Sequence, residues 1–211
     1  RSTKEINQPY LSLCIETLIK NCGDSFNICL IDDNSFETLI PNWAINMNKL
    51  ADPIKSHMRQ LGLLKLLYYY GGLNIPSSTI VMKNLESLYN SLIGKGMFSM
   101  EMVNKNKTSN VAEFFPNSKM IACVQHNESM KKLITFLEEK ISFDNTNEMD
   151  FEGDVNRYIY KLSTENAITI GDGKLIGIKD CDNGPIGIED LLNNTPIKFD
   201  KNLYCIYLPE K

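Results

Sequence analysis

Arginine is almost missing from this chain, since Arg1, Arg59 and Arg157 are its only arginines among 22 basic residues. The lysines are interspersed with 26 acidic residues at a formal charge of −4, so no basic stripe forms and a nucleic-acid footprint is excluded. Histidine occurs twice, as His57 and His126, without metal-ligand spacing; both read as core or surface residues. No apolar run approaches the roughly 20 residues that span a bilayer. The chain starts at Arg1 with no signal-like segment, so any anchor or targeting sequence is expected outside this stretch. The six cysteines form no CxxC or Cys/His pattern and are expected to be reduced small hydrophobes. That predicts a soluble chain, cytoplasmic or carried in a virion. Internal repeats and low-complexity tracts are also missing. The sequons at Asn106, Asn127 and Asn193 carry no weight in so asparagine-rich a chain.

What is present fits one globular domain over residues 1–211, with 43% hydrophobic residues to build its core. Abundant Lys, Asn and Ile beside so little Arg is the bias of an AT-rich genome, as in parasites and large DNA viruses.

The apolar residues Leu11, Cys14, Ile15, Leu18, Ile19 and Cys22 recur at helical spacing, with Gly23 as a C-terminal cap. Phe26 to Ile31 then reads as a buried parallel strand that ends abruptly in Asp32-Asp33-Asn34. Ligands bind open α/β sheets at such strand ends. Residues 35–48 look irregular. A long helix follows from Asp52 to Tyr70, with Asp52 as N-cap and Pro53 at the first helical position. Gly71-Gly72 ends it, leaving room for short strands at Leu73–Ile75 and Thr79–Met82 around the turn Pro76-Ser77-Ser78. Further on, a helix is expected at Leu85–Leu92, strands at Met97–Met100 and Lys119–Val124, and a helix through Met130 to Ile141. A polar segment, Asp144 to Asp154, precedes another helix capped by Asp154. Short strands follow at Ala167–Ile170, Lys174–Ile178 and Leu203–Leu208. This alternation indicates an α/β sandwich with a mostly parallel central sheet flanked by helices.

A helix carrying Arg59, then Leu66-Leu67-Tyr68, Gly71-Gly72, Leu73 and Ile75, resembles the glycosyltransferase sugar-binding region of the capsular-polysaccharide-synthesis and mannosyltransferase-like families, which have the GT-A fold. Pro9, the Cys14/Ile15 helix, Asn21, the segment Asn27–Asp33 and Pro41 fall in a similar order, so the resemblance runs from about Pro9 to Leu88. It implies a nucleotide-binding half over about 9–93 and an acceptor-side half over about 94–211. It also implies transfer of a sugar from a UDP- or GDP-sugar donor to a glycan or protein acceptor. The family opens with a nucleotide-binding strand, whereas residues 1–8 are polar: either that strand lies upstream of this stretch or the fold is remodelled.

Where the family places Asp-x-Asp, this chain has Pro76-Ser77-Ser78. The Asp pair holds a divalent ion that bridges the phosphates of the leaving nucleotide. Serine hydroxyls are weak neutral ligands, so little affinity for Mn²⁺ or Mg²⁺ is expected from this turn. Its hydroxyls and amides remain able to hydrogen-bond a diphosphate without metal. The resemblance implies that Gly71, Gly72, Arg59, Ser77 and Ser78 serve the diphosphate, and Asp32 and Asp33 the nucleoside. Asp32 and Asp33 read equally as an Asx turn, and Arg59 as the partner of a buried acid such as Asp32. Glu152 and Asp154 are candidate bases toward the acceptor hydroxyl, or parts of a solvated acidic loop. The competing expectation is a non-catalytic carbohydrate-binding or assembly module that keeps the fold.

Overall fold

The computed structural model describes residues 9–105, 109, 112–143, 148–193 and 196–208; at Glu148, Met149 and Asp150 the backbone alone is described. The sequon at Asn106 and parts of the one at Asn193 lie outside these residues, as do Arg1 and most of the loop after Val103. The chain folds as a mixed α/β protein grouped into two compact units, Arg1–Ile28 with Ile75–Ser91 and Asp172–Lys211, and Cys29–Asn74 with Leu92–Gly171. The boundary falls inside the glycine motif, between Asn74 and Ile75.

The second unit holds the larger sheet. Its strands are β1 (Gly72–Asn74), β3 (Met97–Val103), β4 (Phe114–Cys123) and β5 (Thr169–Gly171), in the order β1-β4-β3-β5. Only β3 and β5 run parallel; β1 with β4 and β4 with β3 are antiparallel. The expected mostly parallel sheet is therefore corrected to a mixed one. A continuous apolar run shows that a strand is buried on both faces, and β3 is nearly so, but direction depends on the connections around it.

Helices α3 (Ile54–Tyr70), α5 (Glu128–Phe143) and α6 (Glu148–Thr164) pack on one another and on this sheet. Met130, Leu133 and Leu137 recur at helical spacing on α5 and are fully buried, each contributing about 1.5–3 kcal/mol of burial. The histidine in this layer, His57, stacks on Phe151 with ring centroids 3.7 Å apart, a core placement as expected.

Several expected elements differ. Phe26 to Ile31 forms no strand, and Leu30 is exposed: an apolar run becomes a strand only where another strand offers a ladder. A short helix, α2 (Ser35–Leu39), fills the segment read as irregular. Pro53, not Asp52, occupies the cap position of α3, and the Asp52 carboxylate instead accepts from the Ser56 hydroxyl at 2.6 Å. Helix α6 begins at Glu148, so Asp154 is an interior helical residue and not its N-cap.

In the first unit α1 (Pro9–Cys22) lies on a two-stranded antiparallel ribbon of β2 (Thr79–Val81) and β6 (Cys205–Tyr207). The Thr17 hydroxyl accepts from the Val81 amide at 3.0 Å, and the Asn21 amide donates to the Val81 carbonyl at 3.0 Å. Helices α4 (Glu86–Leu92) and α7 (Ile188–Leu192) complete the set. The expected strand at Lys174–Ile178 is a 3₁₀ turn over Gly173–Ile176, closed by Gly177 in the left-handed region. Among the described residues no helix is long and apolar enough to cross a membrane.

Gly71 ends α3 at φ 71° and ψ −173°, a conformation open essentially to glycine alone. A Cβ there would also stand 3.0 Å from the Gln125 amide nitrogen, because the β4–α5 connection passes close by. Gly71→Ala is expected to destabilise the chain by about 2 kcal/mol, read as a lower urea midpoint at unchanged slope. Gly94→Ala, where a Cβ meets open space, is expected to leave the midpoint in place.

Candidate functional site

Polar side chains of the second unit gather around the outer turns of α3 and the end of β1. Asp33 follows residues 27–32, which form neither helix nor strand, and is held from α3 by two cations. Arg59 donates through Nε to Oδ1 at 2.5 Å and through Nη2 to Oδ2 at 2.7 Å, and Lys55 Nζ stands 3.2 Å from Oδ2. Lys55 and Arg59 are four residues apart, so they share one helical face. The hydrogen bond from Arg59 is the main cause that holds the Asp33 carboxyl below its ordinary range, and the same bond raises the Arg59 guanidinium. Asp33 is 18% exposed and Arg59 46%, so the carboxylate is sheltered while the guanidinium keeps an open side.

Asp32 has a different task. Its Oδ1 accepts from the Ser35 hydroxyl at 2.7 Å and from the amides of Ser35 and Asn34 at 2.9 and 3.1 Å. These bonds lower its carboxyl, that from Ser35 foremost, and make it the turn that opens α2. Arg59 is thus the partner of Asp33 and not of Asp32.

The residue after Arg59 links this pair to an irregularity in β4. Ser99 of β3 pairs with Ile121, but the next residue, Met100, pairs with Asn117, so Ser118, Lys119 and Met120 have no opposite residue in β3. Such bulges re-aim side chains and break pairing, often beside functional sites. Gln60 donates to the Ser118 hydroxyl, and Asn74, the last residue of β1, donates to the Lys119 carbonyl at 2.9 Å. The Asn117 side chain accepts from the Lys119 amide at 2.8 Å and donates to Glu152 Oε1 at 3.1 Å, while Ser99 donates to the Asn117 carbonyl at 2.9 Å. Lys119 Nζ lies 3.7 Å from the same Glu152 oxygen. Glu152 is about one-third exposed, a carboxylate oriented through Oε1 and partly open to solvent.

Asp154 does not join this group. It pairs with Lys140 at 2.5 Å and with Arg157, and although burial alone would raise its carboxyl, these partners outweigh burial and keep it low. Gly71 and Gly72 set the turn from α3 into β1 at positive φ. Ser77 and Ser78 belong to the first unit: Ser77 is exposed, whereas Ser78 is 4% exposed and its carbonyl accepts from the Leu208 amide at 2.9 Å.

The turn carries no carboxylate, and one exposed and one buried serine do not fit a Mg²⁺ or Mn²⁺ ion, which favour charged oxygen ligands. Among the described residues no group of three or more His, Cys, Asp or Glu side chains is gathered for a metal.

Lys55, Gln60, Asn117 and Lys119 join the site without being marked in the sequence. The helical spacing of Lys55 to Arg59 is the one available signal; the others depend on the bulge. No family description and no curated protein matches this chain.

The sign of the Asp33 shift fixes a pH dependence. Its carboxyl is lower folded than its ordinary 3.8, so the stabilisation is complete above that value and is lost as pH falls through the folded value. Asp33→Asn is expected to lower the thermal midpoint at pH 7 and to flatten its fall between about pH 5 and 2. Equal slopes for the variant and the parent would show that the pair contributes nothing.

Proposed function

We propose that the chain is a sugar transferase of GT-A type, moving a sugar from a nucleotide-diphosphate donor to a glycan or protein acceptor without a divalent cation. The observation that carries this reading is the presence in one unit of a cationic helix face, Lys55 and Arg59, and an oriented half-open carboxylate, Glu152. These are joined through Gln60, Ser118 and Asn117 beside the end of β1.

Transfer needs two things from the protein: charge compensation for the departing diphosphate and a proton acceptor for the attacking hydroxyl. In this reading Arg59 faces the diphosphate. Glu152 takes the acceptor hydroxyl proton as the new carbon–oxygen bond forms, and the bond to the nucleoside diphosphate breaks with its electron pair leaving on phosphate oxygen. Asn117 holds Glu152 Oε1 and leaves the second oxygen for that proton. The proposal rests on residues of the second unit; Ser77 and Ser78 take no part in it.

A second reading, a non-catalytic carbohydrate-binding or assembly module, is favoured by the structural engagement of other candidates. Asp32 is consumed in a turn, Asp154 in two ion pairs, and Ser78 is buried.

Calorimetry with UDP- and GDP-sugars, with and without Mn²⁺, separates the readings. The transferase reading expects binding that Mn²⁺ leaves unchanged, and donor hydrolysis or transfer that Glu152→Gln lowers by about 10²–10⁴-fold at similar donor affinity. Binding of glycans alone, with no nucleotide sugar bound under any condition, supports the module and removes the enzyme.

A further inference from the structure

Asp33 has more counter-charge than it needs. Both carboxylate oxygens are taken by the Arg59 fork, and Lys55 Nζ adds a second cation 3.2 Å from Oδ2. An arginine fork matches phosphate as well as carboxylate, whereas lysine acts on either as a point charge. The nearest further acid along α3, Asp52, has Oδ1 tied to the Ser56 hydroxyl, and it acts on Lys55 and Arg59 electrostatically without an ion-pair contact. The two cations are therefore spent on one monovalent acid in a half-open setting: Arg59 is 46% exposed and Lys55 22%. A diphosphate offers several charged oxygens where Asp33 offers two.

Resting on the transferase reading above, we propose that Lys55 and Arg59 form a diphosphate clamp whose resting counter-ion is Asp33. An arriving diphosphate displaces the carboxylate and receives from two fixed cations the compensation that a divalent ion would otherwise supply. Lys55 is thereby assigned a binding role at the diphosphate, and Asp33 that of an internal competitor. The exchange forms and breaks no covalent bond. It also makes the affinity salt-dependent, because the cations are partly solvated.

The test is calorimetry of the whole chain with inorganic pyrophosphate in EDTA at low ionic strength. The clamp predicts binding that Lys55→Gln weakens by about tenfold, the worth of one charge-assisted hydrogen bond. Asp33→Asn should tighten binding several-fold, by removing the competitor. Arg59→Lys, which keeps the charge and loses the fork, should weaken it. Tightening on loss of Asp33 is a readout that a merely structural ion pair would not give. Absence of pyrophosphate binding overturns the clamp, as does an affinity unchanged by Lys55→Gln, or orthophosphate binding as tightly as pyrophosphate. Circular dichroism of each variant confirms the fold, and Lys55→Gln preserves the Arg59–Asp33 bond if Asp33→Asn fails to fold. If pyrophosphate behaves as expected and no nucleotide sugar binds, the transferase reading falls and the clamp stands. If nucleotide sugars bind and Lys55→Gln leaves them unaffected, the clamp falls alone.

Discussion

The two-pronged bond between Arg59 and Asp33 ties the segment after residue 28 to α3. No sheet ladder performs that task, because the apolar run before Asp33 forms no strand. A loop without ladder bonds must be placed by its side chains, and here two adjacent aspartates divide the work. Asp32 turns the chain into α2 by bonding to the backbone just ahead, and Asp33 fixes the result to α3. An exposed ion pair contributes little to stability, since water screens it and two side chains must be ordered. A bidentate guanidinium–carboxylate pair with the acid sheltered is at the stronger end of that range. The position of the acid that faces Lys55 and Arg59 is thus set by the cations themselves.

The bulge in β4 supplies the other half of the site. Ser118, Lys119 and Met120 stand opposite nothing in β3, which frees backbone groups inside a well-buried sheet. Unpaired groups there would be costly, and the neighbouring side chains satisfy them. Asn74 covers the Lys119 carbonyl, the Asn117 side chain covers the Lys119 amide, and Gln60 covers the Ser118 hydroxyl. The Asn117 amide nitrogen then donates to Glu152. An irregular strand and an oriented carboxylate are one feature, since the side chain that repairs the first positions the second. Gln60 follows Arg59 in sequence, so the helix that carries the cationic face also bonds the bulge at Ser118, next to the Asn117 that holds Glu152.

Legibility in the sequence follows whether the deciding interaction is local. The periodic helices α1, α3 and α5 are readable, because an apolar stripe recurring every three to four residues matches one face of a helix and no strand pattern. Gly71-Gly72 is readable as the end of α3, and its positive φ angles are the reason glycine stands there. The strand expected at Phe26–Ile31 does not form because a strand needs a partner, which sequence does not display. The start of α6 lies earlier than expected because its acidic residues resemble a solvated loop. Acids in a first turn favour a helix through its dipole, so Glu148 and Asp150 mark a beginning as readily as a break. Sheet direction is illegible because a doubly buried antiparallel strand carries the same apolar run as a parallel one. At the site, Arg59 stands out in its apolar helix, whereas Asp33 and Glu152 look like the acids beside them, and Asn117 and Gln60 are invisible, since their roles exist only once β4 departs from its ladder.

Charge is the constraint that binds the motif to the rest. A departing diphosphate carries more negative charge than a buried site tolerates uncompensated, so cations must be supplied by an ion or by side chains. The turn Pro76-Ser77-Ser78 carries no carboxylates, and in the transferase reading proposed above the burden falls on lysine and arginine. Cations held permanently for that purpose repel each other and need a counter-ion while no ligand is bound. In the clamp proposed above Asp33 would meet that need, from a loop that Phe36 and Ile40 anchor in the core and that the Arg59 bond ties to α3. A carboxylate on a regular strand would be held by its ladder and would compete with the ligand more strongly. In that proposed reading the missing ladder before Asp33 and the missing carboxylates after Gly72 are compatible departures: one would loosen an internal anion, and the other would require that its cations be released.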